Sequence, residues 1–129
     1  MIANFMIGVV AVIHLAFAGL EIFRAENVPK LLLGFEEGPA KDVAVLVQNQ
    51  GAYNLFFALG LIALLTPLIP EGQKGALAFF CLASLAAAGL VGLVTVGNIA
   101  GYWKIGSVIF LVQMIPAVVA LWLVWRGQQ

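Results

Sequence analysis

The sequence predicts an all-α polytopic membrane protein, a four-transmembrane-helix bundle with short loops and one longer first loop. Three observations carry that expectation. The 129-residue chain is 64% hydrophobic and only 9% charged, where a soluble domain carries about 25% charged residues. Its six basic and six acidic side chains cancel to a formal charge of zero, too few to keep a water-exposed globule soluble and monomeric. Finally, charge-free intervals recur four times along the chain, each long enough for the roughly 20 apolar residues that cross a hydrocarbon layer. These stretches are continuously apolar and do not alternate with a period of two, which argues against barrel strands. The expected partner is the lipid bilayer. Nucleic acid is not expected, because its binding needs clustered Lys and Arg to neutralise phosphates.

Residues 1–129 read as a single domain with helices at about 2–23, 43–66, 76–101 and 105–125. The first interval lacks a leading Lys or Arg, so it reads as a retained helix and not a signal peptide, although Ala16-Phe17-Ala18 imitates a cleavage site. Residues 24–42 form the long first connection and hold most of the charges. Within it Val28–Phe35 fits either a short amphipathic turn at the interface or a solvated loop. Pro67, Pro70 and Gly72 stop the second helix, since proline cannot continue the helical ladder. Gly101 to Lys104 makes a tight third connection. The fourth helix contains Pro116, which takes the usual helical partner away from the carbonyl of Val112.

Four crossings put both termini on one side with Lys74 and Arg126. Arg24, Lys30, Lys41 and Lys104 fall on the other, so the positive-inside rule places the first and third loops in the cytoplasm of a bacterial inner membrane. Tyr102 and Trp103 mark one interface, Trp122 and Trp125 the other. Ser84, Ala88 and Gly92, with Gly97 and Gly101, form a small-residue stripe suited to close helix packing within the bundle or in a homodimer.

Polar residues within the spans are costly and therefore informative. His14 and Glu21 lie seven residues apart on the first helix, within about 20° of one another around its axis. On the second, Asn49, Gln50, Tyr53 and Asn54 share an arc of about 140°, with Gln48 beside them. The third aligns Cys81, Ser84, Thr95, Asn98 and Tyr102, and the fourth carries Gln113. Counted inward from the first and third loops at about 1.5 Å per residue, the strongest hydrogen-bonding groups fall in one half of the bilayer. Side chains with so costly an alternative should converge inside the bundle as a polar pocket. Each amide taken singly could instead serve as interhelical glue.

Three segments carry a resemblance. His14-Leu-Ala-Phe17-Ala-Gly-Leu-Glu21 resembles an H-x-x-F-x-x-x-E signature. Asn49-Gln50-Gly51-Ala-Tyr53-Asn54-Leu-Phe56 is similar to an N-Q-G-x-Y-N-x-F block, and Val112-Gln113-Met-Ile-Pro116-Ala117 to a V-Q-x-x-P-A block. Together they resemble the small four-helix membrane proteins of domain of unknown function 1304. That resemblance implies a membrane location and four helices, and it implies no reaction, substrate or catalytic residue.

The expected function is binding or transport of a small molecule in the polar pocket. His14, Glu21, Asn49, Gln50, Tyr53, Asn54, Asn98 and Gln113 are the candidate ligand-binding or proton-coupling residues. His14 is the group most easily switched near neutral pH. Two other functions fit the same residues: an intramembrane enzyme using His14 and Glu21 as acid and base on a lipophilic substrate, and an accessory subunit of a membrane complex. One His and one intramembrane carboxylate are too few for a zinc or di-iron site, so no metal and no cofactor are expected.

Overall fold

The computed structural model describes residues 1–99 and 101–127, with the backbone alone described over 97–99. Its elements are α1 (Ile2–Phe23), α2 (Asn27–Leu33), α3 (Glu37–Leu64), α4 (Glu71–Gly92), α5 (Trp103–Ile109) and α6 (Ile115–Arg126). The helix begun by α4 continues as a π-helical stretch, Leu93–Ile99, and a second one, Phe110–Met114, joins α5 to α6. No strand occurs among the described residues. The long helices pack in ring order: α3 beside α1, α1 beside α6, α6 beside α4 and α4 beside α3. Chain neighbours are thus neighbours in space, as short connections require.

Among the described residues, three helical segments are long and apolar enough to cross a membrane: Ile2–Phe23, Glu71–Val96 and Trp103–Arg126. At most 28% of the apolar window of each is buried inside the protein. Leu, Val, Phe and Trp side chains instead cover the outer surface, among them Phe5, Leu46, Phe56, Phe80, Val108 and Trp125. So extended an apolar exterior is what hydrocarbon requires and water penalises. The α3 helix differs, because Gln48, Asn49, Gln50 and Asn54 lower its hydropathy over the stretch where it is otherwise apolar.

α1 has the expected bounds. α3 begins at Glu37, several residues before the expected start, because charges mark where hydrocarbon ends and do not themselves stop a helix. Glu36 caps it in an extended conformation and Glu37 sits in its first turn, where a negative charge meets the positive end of the helix dipole. Pro39 falls in that same turn, where its missing N–H costs nothing. α4 likewise starts early, at Glu71, supported by a Lys74–Glu71 ion pair of 2.5 Å. Within Val28–Phe35 the chain is helical as far as Leu33, the end of α2, and is capped by Gly34, whose φ of 69° is left-handed.

The fourth helix, expected as one span, is interrupted just before Pro116 by the π-helical stretch Phe110–Met114. Pro116 cannot donate to the Val112 carbonyl, and the preceding turn widens so that the Ile115 N–H reaches Phe110 O. Gly101 serves a different purpose from the packing expected of it. Its φ of 77° turns the chain into α5, with the Tyr102 N–H bonding Val96 O at 3.0 Å, and an added Cβ there would meet nothing within 4 Å. Gly97 lies outside the residues whose side-chain surroundings are described.

The apolar core fills the end of the bundle that holds the chain termini. Val10, Ala11, Leu61, Leu82, Leu85, Ala117 and Ala120 are its fully enclosed members, with Cys81 packed among them as a small hydrophobe. The opposite end, toward the first and third connections, is built differently.

Candidate functional site

At that second end the helices part around a cavity of about 750 Å³. Its walls are largely apolar: Phe17 and Leu20 from α1, Ala88 and Val91 from α4, Val108 and Ile109 from α5. Val28 and Leu32, one turn apart on α2, close it at the loop end. Both π-helical stretches contribute, the first through Thr95 and Val96 and the second through Val112 and Gln113. Such widened turns break the regular side-chain register and recur at functional sites. Thr95 satisfies its own hydroxyl by donating to Val91 O at 2.8 Å.

Four polar side chains from three helices face this space besides Thr95: Glu21, Gln50, Asn54 and Gln113. Glu21 is the one ionisable residue among those lining it. Asn54, nearly buried, donates to Glu21 Oε2 at 2.6 Å. The contact depends on Gly51, one turn before Asn54. A Cβ at Gly51 would lie 2.8 Å from Ile22 Cγ1, 2.9 Å from Glu21 Cβ and 3.1 Å from the Ile22 backbone nitrogen. The missing side chain therefore lets α3 press against the last turn of α1 and carries Asn54 to the carboxylate. A comparable approach sets the far wall, where a Cβ on Gly89 would lie 2.9 Å from Met114 N.

His14 is fully buried two turns before Glu21. Its Nδ1 is 2.8 Å from Val10 O, which makes Nδ1–H the donor and leaves Nε2 as an acceptor. Nε2 has no hydrogen-bond partner among the described residues. The ring stands edge-on to Phe17, centroids 5.8 Å apart, and Phe17 is part of the cavity wall. His14 thus sits behind the cavity, one side chain removed from it.

The remaining candidates are placed elsewhere. Tyr53 is 52% exposed, and Asn49, one turn before it, is exposed on the same outward face of α3. Neither lines the cavity. An arc of about 140° is too wide for one face to point inward, and the Gly51 contact selects the Gln50–Asn54 edge. Gln48 turns to an outer cleft beside Arg24 and Lys41, with a long 3.5 Å approach to Ile22 O. Asn98 lies outside the described side chains. Sequence reasoning missed Gly51 as the organiser, though a glycine amid a polar run is the signal for close backbone approach. It also missed the α2 contribution, for which spacing offers only the Val28–Leu32 pair.

Fold and site together define a class: an all-helical protein with an apolar exterior and, at one end, a largely apolar cavity carrying a few polar side chains. Within that class the chain belongs to the family described as Protein of unknown function (DUF1304), whose model matches residues 8–125. No curated protein and no solved structure matches it significantly.

Proposed function

We propose that this is an integral membrane protein that crosses the bilayer four times and binds or transports a small molecule in the α1–α3–α4–α5 cavity. The single observation behind this reading is a 750 Å³ space in which apolar walls surround a carboxylate and three amides. Ligand sites are mostly apolar concavities of that size with a few convergent polar groups. The fourth crossing is α3. Its 28 residues extend about 42 Å at 1.5 Å per residue, enough to span, and it packs against α1 at Gly51 and Asn54 while Asn49 and Tyr53 stay exposed. On this reading the first and third connections face the cytoplasm, where four of the six cations lie. Glu21 holds or releases the coupled proton at the cavity, and His14 Nε2 accepts one behind it.

The test is thermal unfolding of the detergent-purified protein against a panel of small amphiphiles. A ligand present at about 100 times its Kd stabilises by about 2.7 kcal/mol. At least one compound is expected to stabilise the wild type and not Ala88→Trp, whose indole obstructs the cavity. Equal stabilisation of both proteins, or of neither by any compound, overturns the proposal.

A further inference from the structure

We infer that the cavity takes an amphiphilic organic cation, its positive group on Glu21 and its apolar body along Phe17, Leu20, Val91 and Val108; this rests on the small-molecule reading above. Three observations converge on it. First, Glu21 has no cationic partner among the described residues. The ion pairs among the described residues are Lys30–Glu37 and Lys74–Glu71, and neither Lys nor Arg lines the cavity. Arg24, the basic residue nearest along the chain, and Lys41 line the separate outer cleft.

Second, Glu21 occupies the last turn of α1, a turn with no basic side chain. The carbonyls there already carry the negative end of the helix dipole, a place that favours cations. Carboxylate and helix end thus add to one negative field on the cavity side, since Arg24, which caps the helix, lines the outer cleft. Asn54 supplies a single neutral donor to Oε2, which orients the carboxyl group without balancing its charge.

Third, part of the cavity wall is apolar and reaches the outer surface. Leu20, Ala88, Val91 and Val108 line the cavity and are themselves exposed. In a bilayer that surface meets lipid, so a ligand arrives from hydrocarbon and must carry apolar surface. Phe17 adds an aromatic ring, which attracts a cation over its face. An ammonium lipid headgroup and a free lipophilic cation share this chemistry.

Tetraphenylphosphonium and neutral triphenylphosphine oxide, titrated into the protein in nanodiscs of phosphatidylglycerol, separate the possibilities. The cation is expected to bind the wild type at least tenfold more tightly than the neutral probe. Glu21→Gln should lose that preference while still binding the oxide, which shows that its cavity remains folded. Ala88→Trp should lose both probes. Equal affinities in the wild type, or an unchanged preference in Glu21→Gln, overturn the cation inference alone. Binding of both probes that Ala88→Trp leaves untouched, or binding of neither by the wild type, overturns the cavity reading as well. Repeating the titration with phosphatidylethanolamine added distinguishes the sources. Weakened probe binding identifies a lipid ammonium and unchanged binding a free amphiphile, and either result supports a cation site.

Discussion

Replacing Gly51 by alanine perturbs the site through a single methyl group. The new Cβ would stand 2.8 Å from Ile22 Cγ1, 2.9 Å from Glu21 Cβ and 3.1 Å from a backbone nitrogen. Carbon atoms in contact settle at about 3.5–4.0 Å, so α1 and α3 must separate locally by about 0.7 Å or more. The Ile22 side chain can rotate, but its backbone cannot yield without moving the helix. The 2.6 Å bond from Asn54 to Glu21 then stretches past the roughly 3.2 Å limit for a hydrogen bond. Overpacking costs about 1–3 kcal/mol, and a lost bond to a charged group about 1.5–3 kcal/mol. We therefore expect Gly51→Ala to destabilise by about 3–5 kcal/mol, read as a lowered unfolding temperature in detergent. Gly19→Ala is the control, since a Cβ there meets nothing within 4 Å, and it should match the wild type. Equal melting of Gly51→Ala and Gly19→Ala would refute the close crossing and the role given to it.

Gly89→Ala should cost about 1–3 kcal/mol by the same overpacking, because Met114 backbone atoms lie 2.9 and 3.1 Å from its Cβ; Gly72→Ala, in open space, should cost nothing in the same melt. His14→Leu removes an unpartnered buried acceptor together with its donor, so its stability should stay within about 1 kcal/mol of the wild type. A much larger loss would make the imidazole a structural bond and not a group held for function. Asn49→Leu, on the outward face, should leave probe binding unchanged, whereas Asn54→Leu should weaken tetraphenylphosphonium binding. For the crossings, single cysteines in a Cys81→Ala background report sidedness. Lys41→Cys and Lys104→Cys should label from one side and Gln73→Cys from the other. A shared side for Lys41→Cys and Gln73→Cys would remove α3 as a crossing.

Much of this architecture was legible in the residues, and for identifiable reasons. Low charge and long apolar intervals are summed properties, so the bounds of α1 and the existence of the other long helices follow from them. Helix starts at Glu37 and Glu71 do not, because a helix extends beyond hydrocarbon wherever its first turn suits the dipole. Depth along an axis is likewise a matter of counting. It places Glu21, Gln50, Asn54 and Gln113 toward one end of the bundle, where the structure brings them to one cavity. Rotation about the axis is not countable in this way. Asn49 and Tyr53 share that depth and face outward, since the close crossing at Gly51 turns the Gly51–Asn54 edge of α3 toward α1. The widened turn before Pro116 was foreshadowed by the missing N–H. For the other, at Leu93–Ile99, we have no comparable signal in the sequence.

The most direct test of the central claim is native mass spectrometry of the detergent-purified protein, which weighs the chain with whatever it retains. The cavity account predicts a small-molecule adduct on the wild type that is lost from Ala88→Trp and diminished in Glu21→Gln. A wild type that flies bare, or an adduct carried equally by all three proteins, would contradict it.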